Sequence, residues 1–208
     1  MKPITFSEKL MRKYGRIILD LFEKRTLHKV PISYRIDYRN ENTVKLSDWL
    51  SASMEGMNPK IIEQARKLAG ESNDESVINV LRWVYSSIKY VPDSVKWHTI
   101  EKWQTPSETF ESLSGDCEDG AVLMYAMLSS IEVSPTQLRI NAGDVIGGGH
   151  CWLEYRSDTT GKPYYIDWCY DIDLSRIVDR YDRTYHEKYK RIWWCFNNFS
   201  YYKGYVNV

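Results

Sequence analysis

Residues 115–131 read Gly-Asp-Cys-Glu-Asp-Gly-Ala-Val-Leu-Met-Tyr-Ala-Met-Leu-Ser-Ser-Ile. Gly115 breaks the preceding element, and Asp116 is a good N-cap for a helix that opens at Cys117. Ala121, Met124, Tyr125 and Leu128 recur at helical spacing, so the helix runs to about Ile131. A cysteine in the first helical turn has its thiolate favoured by the helix dipole and by unpaired N–H groups. Those N–H groups can also hold a developing oxyanion. Asp116, Glu118 and Asp119 act in the opposite sense, because neighbouring negative charge raises a thiol pKa. An ion pair with a protonated base has to outweigh them.

Upstream of this stretch the chain reads as helical. Asn58-Pro59 opens a helix that runs to about Leu68 and stops at Gly70. A second helix covers about Asp74 to Ile88, with Val77, Leu81, Val84, Tyr85 and Ile88 as its apolar stripe. Residues 93–105 read as a loop carrying Trp97, His98 and Trp103, and Pro106 to Leu113 as a short helix. Leu10, Tyr14, Ile17 and Leu21 predict one more helix over 6–25, whereas 30–46 shows no clear period. Downstream the period changes. Gln137–Gly143, His150–Arg156 and Pro163–Trp168 read as strands, with a flexible turn at Gly147-Gly148-Gly149 and a hairpin turn at 158–161. Helices followed by an antiparallel meander predict an α+β domain.

Two further residues complete a reaction centre. His150 opens a strand after three glycines, and His is the usual base for a cysteine nucleophile. Strand alternation puts His150, Trp152 and Glu154 on one face, and a hairpin partner places Asp167 beside His150. A carboxylate there fixes the imidazole tautomer and stabilises its cation. A zinc site from Cys117, His150, Cys151 and Cys169 is disfavoured, because adjacent His150 and Cys151 point to opposite faces. His28 and His186 read as surface residues, and His98 is a minor catalytic candidate by its position near the motif.

The set Trp103-Gln104-Thr105-Pro106-Ser107-Glu108-Thr109-Phe110, Gly115-Asp116-Cys117-Glu118-Asp119, Gly149-His150-Cys151-Trp152 and Tyr165-Ile166-Asp167 resembles the transglutaminase-like superfamily, in particular its bacterial cysteine-peptidase branch. The resemblance covers roughly residues 75–170. It implies a papain-like core in which the Cys-bearing helix packs on an antiparallel sheet. It also implies Cys117 as nucleophile, His150 as base and Asp167 as orienter, with the oxyanion held by the Cys117 N–H and a donor from Trp103 or Gln104. Gly148, Gly149, Trp152 and Trp168 are candidate walls of the substrate cleft. Some relatives hold calcium near the acidic stretch, which makes Glu118 and Asp119 candidate ligands. The thioester mechanism itself requires no cofactor. The expected activity is acyl transfer on a peptide or glutamine amide, with hydrolysis ahead of amine transfer and a silent binding module as the remaining reading.

Composition bounds the rest. The 208 residues divide into a helical extension over 1–70, a catalytic core over 71–175 and an aromatic-rich extension over 176–208, expected to form one compact domain. Formal net charge is zero, which argues against phosphate-backbone binding. Residues 1–29 carry net +5 and 175–208 net +4, leaving an acidic middle that could steer a basic substrate. No apolar run is long enough to span a bilayer, and no signal-peptide core is present. Together with four widely spaced cysteines that read as free thiols, this predicts a cytoplasmic protein acting on a peptide or protein substrate. Tyr181, Tyr185 and Tyr189 read as one helical face. With Trp193, Trp194, Phe196, Phe199 and Tyr201 they form an aromatic tail that packs on the sheet or serves a protein partner.

Overall fold

Asn58 shows how directly the local sequence sets the elements: its side chain accepts from the Lys60 N–H at 3.0 Å, and Pro59 occupies the first helical turn. The computed structural model describes residues 46–203 and, as backbone strands, 28–29 (β1), 34–37 (β2) and 42–44 (β3). The helix expected over 6–25 lies outside the described residues. Among the described residues five helices come before the Cys117 helix: α1 (Leu46–Glu55), α2 (Pro59–Leu68), α3 (Asn73–Ser87), α4 (Asp93–Lys96) and α5 (Pro106–Ser112). Helix α1 carries no start signal that the sequence reading recognised. Helix α4 occupies part of the expected loop over 93–105. A two-stranded parallel pair, β4 (Lys89–Tyr90) and β5 (Ser114–Gly115), leads into α6 (Cys117–Ser130).

Helix α6 is buried at every position from Glu118 to Leu128. A helix enclosed on all sides carries apolar residues on all sides, and Val122, Leu123 and Met127 supply what the expected stripe left out. Helices α2, α3 and α5 pack on one flank of α6, and a sheet covers the other. The main sheet is antiparallel in the order β1-β10-β9-β6-β7-β8. Its later strands are β6 (Leu138–Val145), β7 (Gly148–Arg156), β8 (Pro163–Ile166), β9 (Tyr189–Phe196) and β10 (Tyr201–Lys203). The fold class is therefore α+β, as expected.

Two local expectations are corrected. The turn before β7 is made by Ile146 and Gly147, and Gly148 and Gly149 already pair with Val145 and Asp144. Glycine is compatible with that ladder, so a run of glycines does not by itself mark a turn. The tyrosines at 181, 185 and 189 do not share a helix face. Tyr185 ends a single 3-10 turn, and Tyr189 starts β9, which pairs with β6 in the middle of the sheet. Tyr181 and Tyr185 are exposed and only Tyr189 is buried, so spacing by four residues did not mark a shared buried face.

Close approach requires glycine at two positions. A Cβ on Gly143 would sit 2.0 Å from the Arg191 backbone oxygen across the β6–β9 pair. One on Gly120 would sit 2.2 Å from Trp168 Nε1. The second contact presses α6 against the segment following β8. There Trp168 Nε1–H donates to the Cys117 carbonyl at 3.2 Å. A buried carboxylate ties α3 to the far end of β7: Asp74 accepts from Tyr155 Oη at 2.7 Å and Ser157 Oγ at 2.8 Å.

Candidate active site

Asp116 occupies the N-cap of α6, and Asp119, three residues on, reaches back to accept from the Asp116 N–H at 3.2 Å. This puts Cys117 in the first turn, where it lines a cleft of about 380 Å³ with Ile100, Glu101, Trp103, Glu118, Gly149, His150, Trp193 and Trp194. His150 enters the same cleft from β7, and its Nε2 lies 2.6 Å from Asp167 Oδ2. Asp167 follows the last residue of β8, next to the Leu153–Ile166 register pair. The structure thus brings Cys117, His150 and Asp167 together. With Nε2 turned to Asp167, Nδ1 is the imidazole nitrogen left for the cleft.

Asp167 is almost completely buried. Burial pushes its carboxyl up, but bonds from His150, Tyr189 Oη and the Cys169 N–H outweigh that and hold it below the ordinary aspartate value. It is therefore a carboxylate suited to hold an imidazolium. Cys117 has the opposite balance. Burial, with the charges of Glu118 and Asp116, pushes its thiol well above the ordinary value. Its Sγ donates to Glu118 Oε2 at 3.2 Å.

The other expected site residues divide. Gly149 lines the cleft, and the Trp193 indole lies over it, 2.7 Å from where a Cβ would stand. Gly148 is exposed and off the cleft lining. Trp152 and Trp168 do not form its walls. Trp152 is fully buried behind His150, its ring stacked 5.9 Å from the imidazole and enclosed by Tyr165 and Tyr189, and Trp168 is buried against Gly120. Trp193 and Trp194 from β9 take that position, and only the pairing of β9 with β6 brings them there. Gln104 is not free to serve as an oxyanion donor. Its side-chain amide bonds Asp119 Oδ2 and the Ser114 carbonyl, and its N–H bonds Asp119 Oδ1 at 2.8 Å. Trp103 does line the cleft, with its Nε1–H on Glu101 Oε1 at 2.8 Å. Cys151 is buried and Cys169 half-buried, and all four cysteines are free thiols. His98 is absent from the cleft lining.

The acidic stretch is larger than the sequence indicated. Asp93, Asp116, Glu118 and Asp119 place one carboxylate oxygen each within 4.8 Å of one another. Asp93 Oδ1, Asp116 Oδ1 and Glu118 Oε1 are buried without a hydrogen-bond partner. Burial and mutual repulsion push Asp93 to about 6, and burial with the Asp116 charge pushes Asp119 to about 7. Converging, unsatisfied carboxylate oxygens are the donor set of a hard cation. Asp93 was missed because it lies 23 residues before Asp116, and no local pattern links them.

A buried helix bearing Cys117 against an antiparallel sheet bearing His150 defines a papain-like, transglutaminase-like architecture. Residues 59–154 match the family described as Transglutaminase-like domain. The UPF0252 protein MJ1282 of Methanocaldococcus jannaschii is 31% identical over 96 residues, covering 40% of this chain. The match spans 26% of that relative, about a quarter of its length. Among solved structures, LapG of Legionella pneumophila in an EGTA-treated form is similar with a TM-score of 0.55 and 16% identity, over 76% of this chain and 84% of that one. A second LapG structure from the same organism also has a TM-score of 0.55, with 17% identity over 76% and 87%. At such identity the likeness is one of fold. The family match ends before Asp167, whose place beside His150 is given by the 2.6 Å distance alone. Among the described residues no helix is long and apolar enough to cross a membrane.

Proposed function

We propose that the chain is a cysteine hydrolase acting on a peptide amide. The observation that carries this reading is the cleft shared by Cys117 and His150, with Asp167 2.6 Å behind the imidazole. His150 takes the thiol proton through Nδ1, and Cys117 Sγ attacks the amide carbonyl. The C–N bond breaks as His150 returns the proton to the leaving amine. A water molecule, deprotonated by His150, then cleaves the thioester to a carboxylic acid and regenerates the thiol. The Cys117 N–H at the start of α6 holds the developing oxyanion, while the indole N–H of Trp103 is taken by Glu101.

Asp93, Asp116, Glu118 and Asp119 would hold a divalent cation such as calcium, whose positive charge beside the thiol would favour the thiolate.

Hydrolysis is preferred to amine transfer because the ordered motifs around Cys117, His150 and Asp167 resemble those of the cysteine-peptidase branch. The test is the rate of iodoacetamide labelling against pH, read site by site by mass spectrometry in wild type and His150→Ala. Selective labelling of Cys117 that disappears in the variant supports the reading. A Cys117 no more reactive than Cys169 points instead to a silent binding module. A labelled primary amine offered with an amide substrate then separates hydrolysis from transfer.

A further inference from the structure

Asp167 lies beyond the last paired residue of β8, so no ladder hydrogen bond fixes it. Its carboxylate is nonetheless held on both oxygens. Oδ1 accepts from the Cys169 and Tyr170 N–H groups, each at 3.1 Å. Oδ2, the oxygen facing His150, accepts from Tyr189 Oη at 2.7 Å. Tyr189 begins β9, two strands away from β7, and its ring packs at a tilt against Trp152, with centroids 4.8 Å apart, and Tyr165, with centroids 4.4 Å apart. It is almost wholly buried. Burial and the Asp167 charge raise its phenol far above the ordinary value, so the hydroxyl stays a donor.

We propose that Tyr189 is a positioning residue for the His150–Asp167 pair, an inference that rests on the catalytic reading above. Two backbone donors hold Oδ1, but Oδ2, the oxygen that His150 addresses, has no backbone donor of its own. A third, at Oδ2, locks the oxygen that His150 addresses. A buried phenylalanine would fill the same volume and make the same ring contacts. The hydroxyl therefore has a separable role, and it is aimed at a reacting pair's carboxylate, where a charge-assisted bond is strongest.

The experiment compares wild type with Tyr189→Phe. In wild type, the proton between His150 Nε2 and Asp167 gives a slowly exchanging downfield NMR resonance with a cross peak to the Tyr189 hydroxyl proton. In a folded variant that resonance broadens or shifts. Labelling of Cys117 by iodoacetamide near neutral pH falls by about tenfold, the scale of one charge-assisted hydrogen bond. A structural role would lower the melting temperature and leave both readouts in place. A folded variant with a sharp, unmoved resonance and unchanged labelling overturns the proposal. Should the variant fail to fold, 3-fluorotyrosine placed at position 189 strengthens the donor without changing its shape, and an unmoved resonance there overturns it equally. If wild-type Cys117 shows no dependence on His150, the catalytic reading fails instead, while the resonance still reports on Tyr189.

Discussion

Cys117 Sγ donates to Glu118 Oε2 at 3.2 Å, so the thiol at the head of α6 shares its proton with a buried carboxyl group. Glu118 is itself pushed well above the ordinary glutamate value, first by burial and then by Asp116 and Asp119. The helix dipole, worth under about 1 kcal/mol at most exposed sites, is opposed by both burial and charge. In the proposed mechanism, activation of Cys117 therefore depends on the imidazolium of His150 and on whatever offsets the acids.

Glu118→Gln removes that charge while keeping an acceptor at the same place. Iodoacetamide labelling of Cys117 should be faster in the variant. The ratio to wild type should grow as pH rises, because only the ionised carboxyl repels the thiolate. A ratio that stays flat with pH would mean that Glu118 carries no charge felt by the sulfur.

Asp167→Asn keeps the shape of the orienter and removes its charge. Hydrolysis of an amide substrate should fall by roughly two orders of magnitude or more with little change in KM, since an amide neither stabilises the imidazolium nor enforces the tautomer. Steady-state kinetics read this directly, and an unchanged kcat would remove Asp167 from the triad.

The acidic cluster predicts an unusual pH dependence. Asp93 and Asp119 have folded values of about 6 and about 7, raised first by burial. A raised carboxyl makes the folded state hold protons that the unfolded chain has released. Stability is thus favoured at low pH and lost as pH rises through these values. In chelator, the melting temperature should fall between about pH 5 and about pH 8. Saturating calcium should raise the melting temperature most at the upper end and flatten the slope, an effect that Asp93→Asn weakens. Calorimetry with and without EGTA checks both arms, and a melting temperature indifferent to calcium at the upper end counts against a cation site.

Gly143→Ala places a methyl group 2.0 Å from the Arg191 carbonyl oxygen, which is backbone in the middle of the sheet. The strands must part to admit it, at a cost of about 1–3 kcal/mol or more. Denaturant unfolding should show the loss. Gly56→Ala, with nothing within 4 Å of its Cβ, serves as the control.

Much of the site was legible because its parts are local. The break at Gly115, the cap at Asp116, the apolar run after Cys117 and the alternation from His150 are patterns within a few residues, and they set helix α6 and strands β7 and β8 nearly in place. The helices over 59–68 and 73–87 were equally readable from Asn58-Pro59, Gly70 and the stripe from Val77 to Ile88. The tail was not. Tyr189, Trp193 and Trp194 look alike in sequence, yet one meets Asp167 and the other two wall the cleft.

By itself, then, the sequence determined the main helices and strands between Asn58 and Ile166 and the order Cys117, His150, Asp167, since hydrophobic period, caps and breaks act over a turn or a strand. Tertiary structure decided what joins that triad. Strand pairing carries no local code: the β6–β9 ladder brings Tyr189 to Asp167 and Trp193 over Gly149, and the packing of α4 on the start of α6 brings Asp93 to Asp116. Contacts across tens of residues are fixed by the common burial of both partners, and that is settled only when the whole core closes.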